Sequence, residues 1–126
     1  MSALSPAAFE TFLAGDDDSP VVMLNLLQFV PDHGRETYLH YLRMVRPILA
    51  RYGAQILFGG DGLPVLTTGE ARSWDAVLLV QYPRRSVFKT MVDDPEYQVA
   101  VEVWQAAVAD IVLQPIVPSG SMMQTL

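Results

Sequence analysis

The stretch VVMLNLLQF, Val21–Phe29, decides how the rest of the chain is read: an almost unbroken apolar run with an asparagine, Asn25, at its centre. Its apolar density and abrupt ends fit a strand better than a helix. Successive strand residues point to opposite faces. Val22, Leu24 and Leu26 therefore share one face, and Met23, Leu27 and Phe29 share the other with Asn25. A strand with one wet face alternates apolar and polar residues; this one is apolar on both, so both faces are expected to be covered. A carboxamide set in such a strand must find hydrogen-bond partners or cost stability. It can face water at an edge, tie down a loop, line a pocket under helices, or sit at an interface between sheets.

Working outward, LSPAAFETFLAG before the strand reads as a short helix, with Ser5 as N-cap, Pro6 at the first helical position and Gly15 as the stop. Asp16, Asp17 and Asp18 follow as a solvated loop; they lack the spacing of a calcium loop. After PDHG the period becomes helical over residues 35–52, with Tyr38, Tyr41, Leu42, Val45, Leu49 and Tyr52 on one stripe and a kink or a local loss of a hydrogen bond expected at Pro47. AQILFGG reads as a second strand, and residues 65–67 could extend its pairing. WDAVLLVQYP, residues 74–83, is a third strand, again apolar on both faces. Two short helices follow, the second capped by Asp94 with Pro95 after it and carrying Tyr97, Ala100, Val101, Trp104 and Val108 on its stripe. Residues 110–117 make a fourth strand, which Pro115 restricts to an edge.

The order is an added helix followed by β-α-β-β-α-β, the second helix being split. This is the α+β, ferredoxin-like pattern: a four-stranded antiparallel sheet with helices on one face. The expected organisation is an N-terminal helix and acidic loop over residues 1–20, a ferredoxin-like domain over 21–117, and a tail over 118–126 that packs on a neighbour through Met122, Met123 and Leu126. No second helical layer remains for the far face of the sheet. A homodimer packed sheet to sheet would cover it.

Composition agrees. The chain has 126 residues, enough for one core; 51% are apolar and 17% charged. A net charge of −6 and a single lysine, Lys89, argue against nucleic acid as a partner. The absence of cysteine removes disulfides, thiolate nucleophiles and sulfur-ligated metals. The N-terminus lacks the pattern of a signal peptide, and no apolar run approaches the about 20 residues that span a bilayer. A cytoplasmic protein with no membrane partner is expected.

VVMLNLLQF, GRETYLHYLRMVRPILARYGAQILFGG, WDAVLLVQYP and DPEYQVAV, in this order and spacing, resemble the family called "domain of unknown function 1330" in the dimeric α/β-barrel superfamily. The resemblance spans residues 21–117 and implies a ferredoxin-like protomer whose sheet pairs with that of its twin in a shared barrel. The wider superfamily includes cofactor-free monooxygenases, lactone isomerases, haem-handling proteins and ligand-sensing domains, and fold alone does not choose among them.

No nucleophile triad, dinucleotide fingerprint or metal-ligand spacing stands out, so no metal or cofactor is expected. The candidates are polar residues set in apolar elements: Asn25, Gln81 near the end of the third strand, Tyr41 and Tyr97 on inward helix stripes, and Trp104 two turns after Tyr97. Together they could orient a hydrophobic or aromatic molecule between sheet and helices. Secondary candidates are His33 in the PDHG loop, Arg46 beside the helix stripe as an anion contact, and Asp75 at a strand start; His40 falls on the solvent side. Two readings of function stay open: a cofactor-free enzyme of monooxygenase or isomerase type, and a non-catalytic dimeric ligand-binding or stress and assembly module.

Overall fold

The computed structural model describes residues 4–15, 18–69 and 72–124. Its elements are α1 (Pro6–Leu13), β1 (Val21–Phe29), α2 (Gly34–Arg51), β2 (Gln55–Asp61), β3 (Ala76–Tyr82), α3 (Arg85–Val92), α4 (Pro95–Ala107), β4 (Val108–Ile116) and α5 (Gly120–Gln124). The strands form one antiparallel sheet in the order β2-β3-β1-β4, the ferredoxin-like arrangement, with α1 added at the N-terminus.

Burial separates the two faces of β1. Val21, Met23 and Leu27 are buried, while Val22, Leu24 and Leu26 between them stay partly exposed. The register carries this division across the sheet. Leu78, Val80 and Tyr82 of β3 lie opposite Asn25, Met23 and Val21, and all three are buried. They form the core with Tyr38, Val45 and Leu49 of α2, Phe88 and Met91 of α3, and Ala100 and Trp104 of α4. The helices therefore cover the face that holds Asn25. The other face carries Val22, Leu24, Leu26, Val77, Leu79 and Val112, and no element of the described chain covers it.

Local chemistry explains the helix boundaries. The Ser5 hydroxyl accepts from the Ala8 N–H at 3.2 Å and starts α1. The Asp94 carboxylate accepts from the Glu96 N–H at 2.8 Å and starts α4, with Pro95 in the first turn, where its missing N–H costs nothing. Between α1 and α3, the Phe9 and Phe12 rings lie 5.6 and 6.2 Å from Phe88. The Arg85 guanidinium donates to the Phe12 carbonyl at 2.9 Å while lying over its ring. Gly34 opens α2 where a side chain would strike the Ala107 carbonyl, 2.7 Å from the position of a Cβ. That same carbonyl accepts from the Val30 N–H.

Two details depart from the sequence reading. β4 begins at Val108, because α4 passes straight into the strand: Ala107 and Val108 are both buried, and Val108 is already extended. Residues 65–67 pair with nothing in the sheet; Leu66 is fully exposed, and the Gly62 N–H closes the segment by donating to the Asp75 carbonyl. Pro47 lies inside α2, where its missing N–H leaves the Arg43 carbonyl without a helical partner, as expected. The tail contains the short α5, whose Met122 and Met123 are exposed; Leu126 lies outside the described residues.

Asp16 and Asp17 also lie outside the described residues. Asp18 accepts from the Ser86 N–H and hydroxyl, and these bonds hold its carboxyl below the usual range. Among the described residues no acidic or histidine cluster is placed to hold a metal, and no helix is long and apolar enough to cross a membrane.

Candidate functional site

A cavity of about 520 Å³ lies between the helix-covered face of the sheet and helices α1, α2 and α4. Its floor is Met23 and Asn25 of β1 with Ile111 and Leu113 of β4. The walls are Tyr38 and Tyr41 of α2, Tyr97, Val101 and Trp104 of α4, and Phe9 and Phe12 of α1. Strand alternation places Asn25 here: it shares the face of Met23 and Leu27, which are buried at 3% and 1% exposure.

The Asn25 amide has one end tied and one end open. Nδ2 donates to the carbonyls of Met23, at 3.2 Å, and Leu78, at 3.3 Å. Both partners can only accept, so the nitrogen has to be on that side. No hydrogen bond among the described residues reaches Oδ1, and no unpartnered side-chain oxygen or nitrogen there is buried. The carbonyl end of Asn25 is thus an accessible acceptor, held rigid by the sheet beneath it.

Across the cavity the hydroxyls of Tyr41 and Tyr97 meet at 3.2 Å, joining α2 to α4. The Trp104 side chain, two turns along α4, lines the same cavity. Burial is the main cause that raises the pKa of both phenols above its ordinary value; for Tyr97, the bond with Tyr41 partly offsets it. Burial likewise raises Tyr38, whose ring lies 5.2 Å from that of Tyr41. These phenols stay protonated at neutral pH and act as hydrogen-bond donors and acceptors, not as bases.

Asn25, Tyr41, Tyr97 and Trp104 are therefore gathered in one place, and the other candidates lie elsewhere. Gln81 pairs across the sheet with Val22 and lies on the uncovered face. His33 is exposed ahead of α2, its Nδ1 3.1 Å from Glu36, with a left-handed backbone of φ 61°. Arg46 is exposed, on the part of α2 near β2. Asp75 is a structural cap: its carboxylate accepts from the Phe29 N–H at 2.8 Å, and its own N–H donates to the Leu27 carbonyl. His40 is exposed on α2.

The sequence reading did not include Phe9, Phe12, Tyr38 or Phe88 in the site. Tyr38 stands one turn before Tyr41 on the same stripe, a signal that was available. Phe9 and Phe12 mark an apolar side of α1, but nothing in the sequence shows that this side closes the cavity.

No family model and no curated protein matches the chain. Among solved structures, a hydroxynitrile lyase from Passiflora edulis shares 8% identity over 82% of this chain and 97% of its own, with a TM-score of 0.65. A dimeric ferredoxin-like protein of unknown function from Jannaschia shares 9% over 79% of this chain and 100% of its own, with a TM-score of 0.62. These two are likenesses of fold. A protein of unknown function from Rhodopseudomonas palustris is 32% identical over 93% of this chain and 95% of its own, with a TM-score of 0.83. At that identity over nearly the full length of both, the chain belongs to the family of the Rhodopseudomonas palustris protein.

Proposed function

We propose that this protein is a homodimer, closed by packing the uncovered faces of two sheets into an α/β barrel, that binds a small and largely apolar molecule in the cavity of each protomer. The single observation that carries the binding reading is that cavity, in which apolar walls surround a few fixed polar groups: the open end of Asn25 and the Tyr41–Tyr97 pair. The dimer is supported by the apolar face that no described element covers, and the Jannaschia protein of the same fold is described as dimeric. Membership in the family of domain of unknown function 1330 fits the motifs of residues 21–117 and the fold they adopt.

Binding is favoured over catalysis by the chemistry of the lining. A proton-transfer enzyme needs a group whose pKa lies near the working pH. The described lining contains no histidine, carboxylate or lysine, and its phenols are shifted further from neutrality. A cofactor-free enzyme of monooxygenase or isomerase type would have to draw its chemistry from the substrate or from the second protomer.

Naphthalene is a suitable first probe of the cavity. Saturable quenching of tryptophan fluorescence is expected in the wild-type protein, through Trp104. Binding should be lost in Val101→Phe, which fills the space. Absence of saturable binding to the wild type, or undiminished binding to a folded Val101→Phe, would overturn the reading.

A further inference from the structure

The chain carries 22 formally charged side chains, 8 basic and 14 acidic, yet the described residues that line the cavity include none of them. The polar members of the lining are all neutral: Asn25, the tyrosines, Trp104, and Ser5, Gln98 and Gln105 toward the outside. Ser5 is spent on capping α1 and the Gln98 amide donates to the Val92 carbonyl, so neither is arranged around an ion. An ionised group taken from water into such a space would leave its charge unpaired, which is far costlier than losing a neutral hydrogen bond.

The hydrogen-bond inventory goes further. The Tyr41–Tyr97 bond consumes one of the two hydroxyl hydrogens. Whichever phenol donates to the other, one O–H is left with no partner among the described residues. On the cavity floor, Asn25 Nδ2 is saturated by two carbonyls while Oδ1 is open. The cavity thus offers a spare donor at the Tyr41–Tyr97 pair and a spare acceptor at Asn25 on its floor, with the Tyr38 hydroxyl, which has no partner among the described residues, beside them.

We propose that the occupant is an uncharged ring compound that presents an oxygen to the Tyr41–Tyr97 hydroxyl pair and a hydroxyl or amide hydrogen to Asn25 Oδ1, and that its ionised acid is excluded. This rests on the cavity being a binding site. It adds the class of ligand: neutral alcohols, phenols, ketones, esters or amides, not carboxylates or phosphates.

Four probes with the same ring separate the cases: naphthalene, naphthol, methyl naphthoate and naphthoate anion, titrated into the wild-type protein at neutral pH. Naphthol and methyl naphthoate are expected to bind about 3- to 10-fold tighter than naphthalene, as a neutral hydrogen bond predicts. Naphthoate should bind at least about 10-fold more weakly than its methyl ester, reflecting its unpaired charge. The double variant Tyr41→Phe, Tyr97→Phe should abolish the advantage of the ester over naphthalene, since either hydroxyl alone would keep a free O–H. Asn25→Ala should reduce the advantage of naphthol and leave that of the ester, which has no hydrogen to donate. Circular dichroism checks that both variants are folded, and the comparison of ester with anion needs no variant at all.

If naphthalene binds but naphthoate binds as tightly as its ester, or the polar probes gain nothing over naphthalene, this assignment is overturned while the binding site stands. If none of the probes binds, the binding reading fails and this one fails with it.

Discussion

The two faces of the sheet look alike in sequence and differ in the fold. β1 contributes Met23, Asn25 and Leu27 to one and Val22, Leu24 and Leu26 to the other; β3 contributes Leu78 and Val80 to one and Val77 and Leu79 to the other. The first face is packed under helices and holds the cavity, with Asn25 anchored to the sheet. The second is largely apolar and uncovered by any described element, and its polar residues Gln28, Gln81, Asp110 and Gln114 lie around Leu24 and Leu26. Apolar content alone shows that a face needs a partner. The partner determines whether it becomes a core with a binding site or a surface for assembly.

The largest expected effect comes from placing a charge on the uncovered face. Leu24 lies mid-strand there, opposite Leu79 of β3 and Gln114 of β4. In the proposed dimer, Leu24→Asp would bury an unpaired carboxylate. The dimer dissociation constant should rise on the order of 1,000-fold, about 4 kcal/mol, measured by sedimentation equilibrium. Naphthalene binding should survive, because the side chain points away from the cavity. A wild-type protein that sediments as a monomer at micromolar concentration would remove the dimer from the account.

Leu26 and Leu27 are chain neighbours on opposite faces and sharpen the same contrast. Leu27 is 1% exposed, so Leu27→Ala removes packed core and should cost about 2–5 kcal/mol in chemical denaturation. Its destabilisation should hardly depend on protein concentration, since it acts within one protomer. Leu26→Ala should cost less, and part of its cost should vanish at concentrations where the dimer has dissociated. Equal, concentration-independent losses at both positions would mean that the second face is not an assembly surface.

Much of this architecture was legible because strand and helix periods differ and the caps are explicit: Val21–Phe29 stands as read, and Ser5 and Asp94 start the helices assigned to them. The orientation of the sheet was less accessible. Alternation groups Asn25 with Met23 and Leu27, but two apolar faces give no local reason for helices to choose either. The position of Gln81 depends on register: Asn25 pairs with Leu78, which puts Gln81, three residues further on, across the sheet from the cavity. Register is set by long-range pairing that no short window contains. Asp75, a secondary candidate at a strand start, serves as a cap because its carboxylate accepts from the Phe29 N–H, a partner 46 residues away in the chain. The wall formed by α1 depends on Arg85 and Phe88, more than 70 residues downstream of Phe12.

The smallest effect at neutral pH belongs to the covered face alone, where Tyr38, Tyr41, Tyr82 and Tyr97 lie and where burial raises the pKa of each above its ordinary value. Up to the unfolded phenol pKa of about 10, both folded and unfolded chains keep these protons, and the contribution to stability is constant. Above it the unfolded chain ionises while the folded chain does not, so stability falls and continues to fall until the raised values in the fold are reached. An ultraviolet phenolate titration should therefore show the most strongly shifted of the four, Tyr38, Tyr41 and Tyr82, ionising late and together with unfolding, with Tyr52, outside this group, ahead of them. Tyr52 itself is held up by its bond to the Asp94 carboxylate, so Asp94→Asn should bring its ionisation earlier and leave the four unchanged. Leu24→Asp should also leave Tyr38, Tyr41 and Tyr82 late, because no phenol lies on the face it disrupts. If that variant brought them forward to ordinary phenol behaviour, the two faces would be coupled, and the cavity would need the dimer to keep its shape.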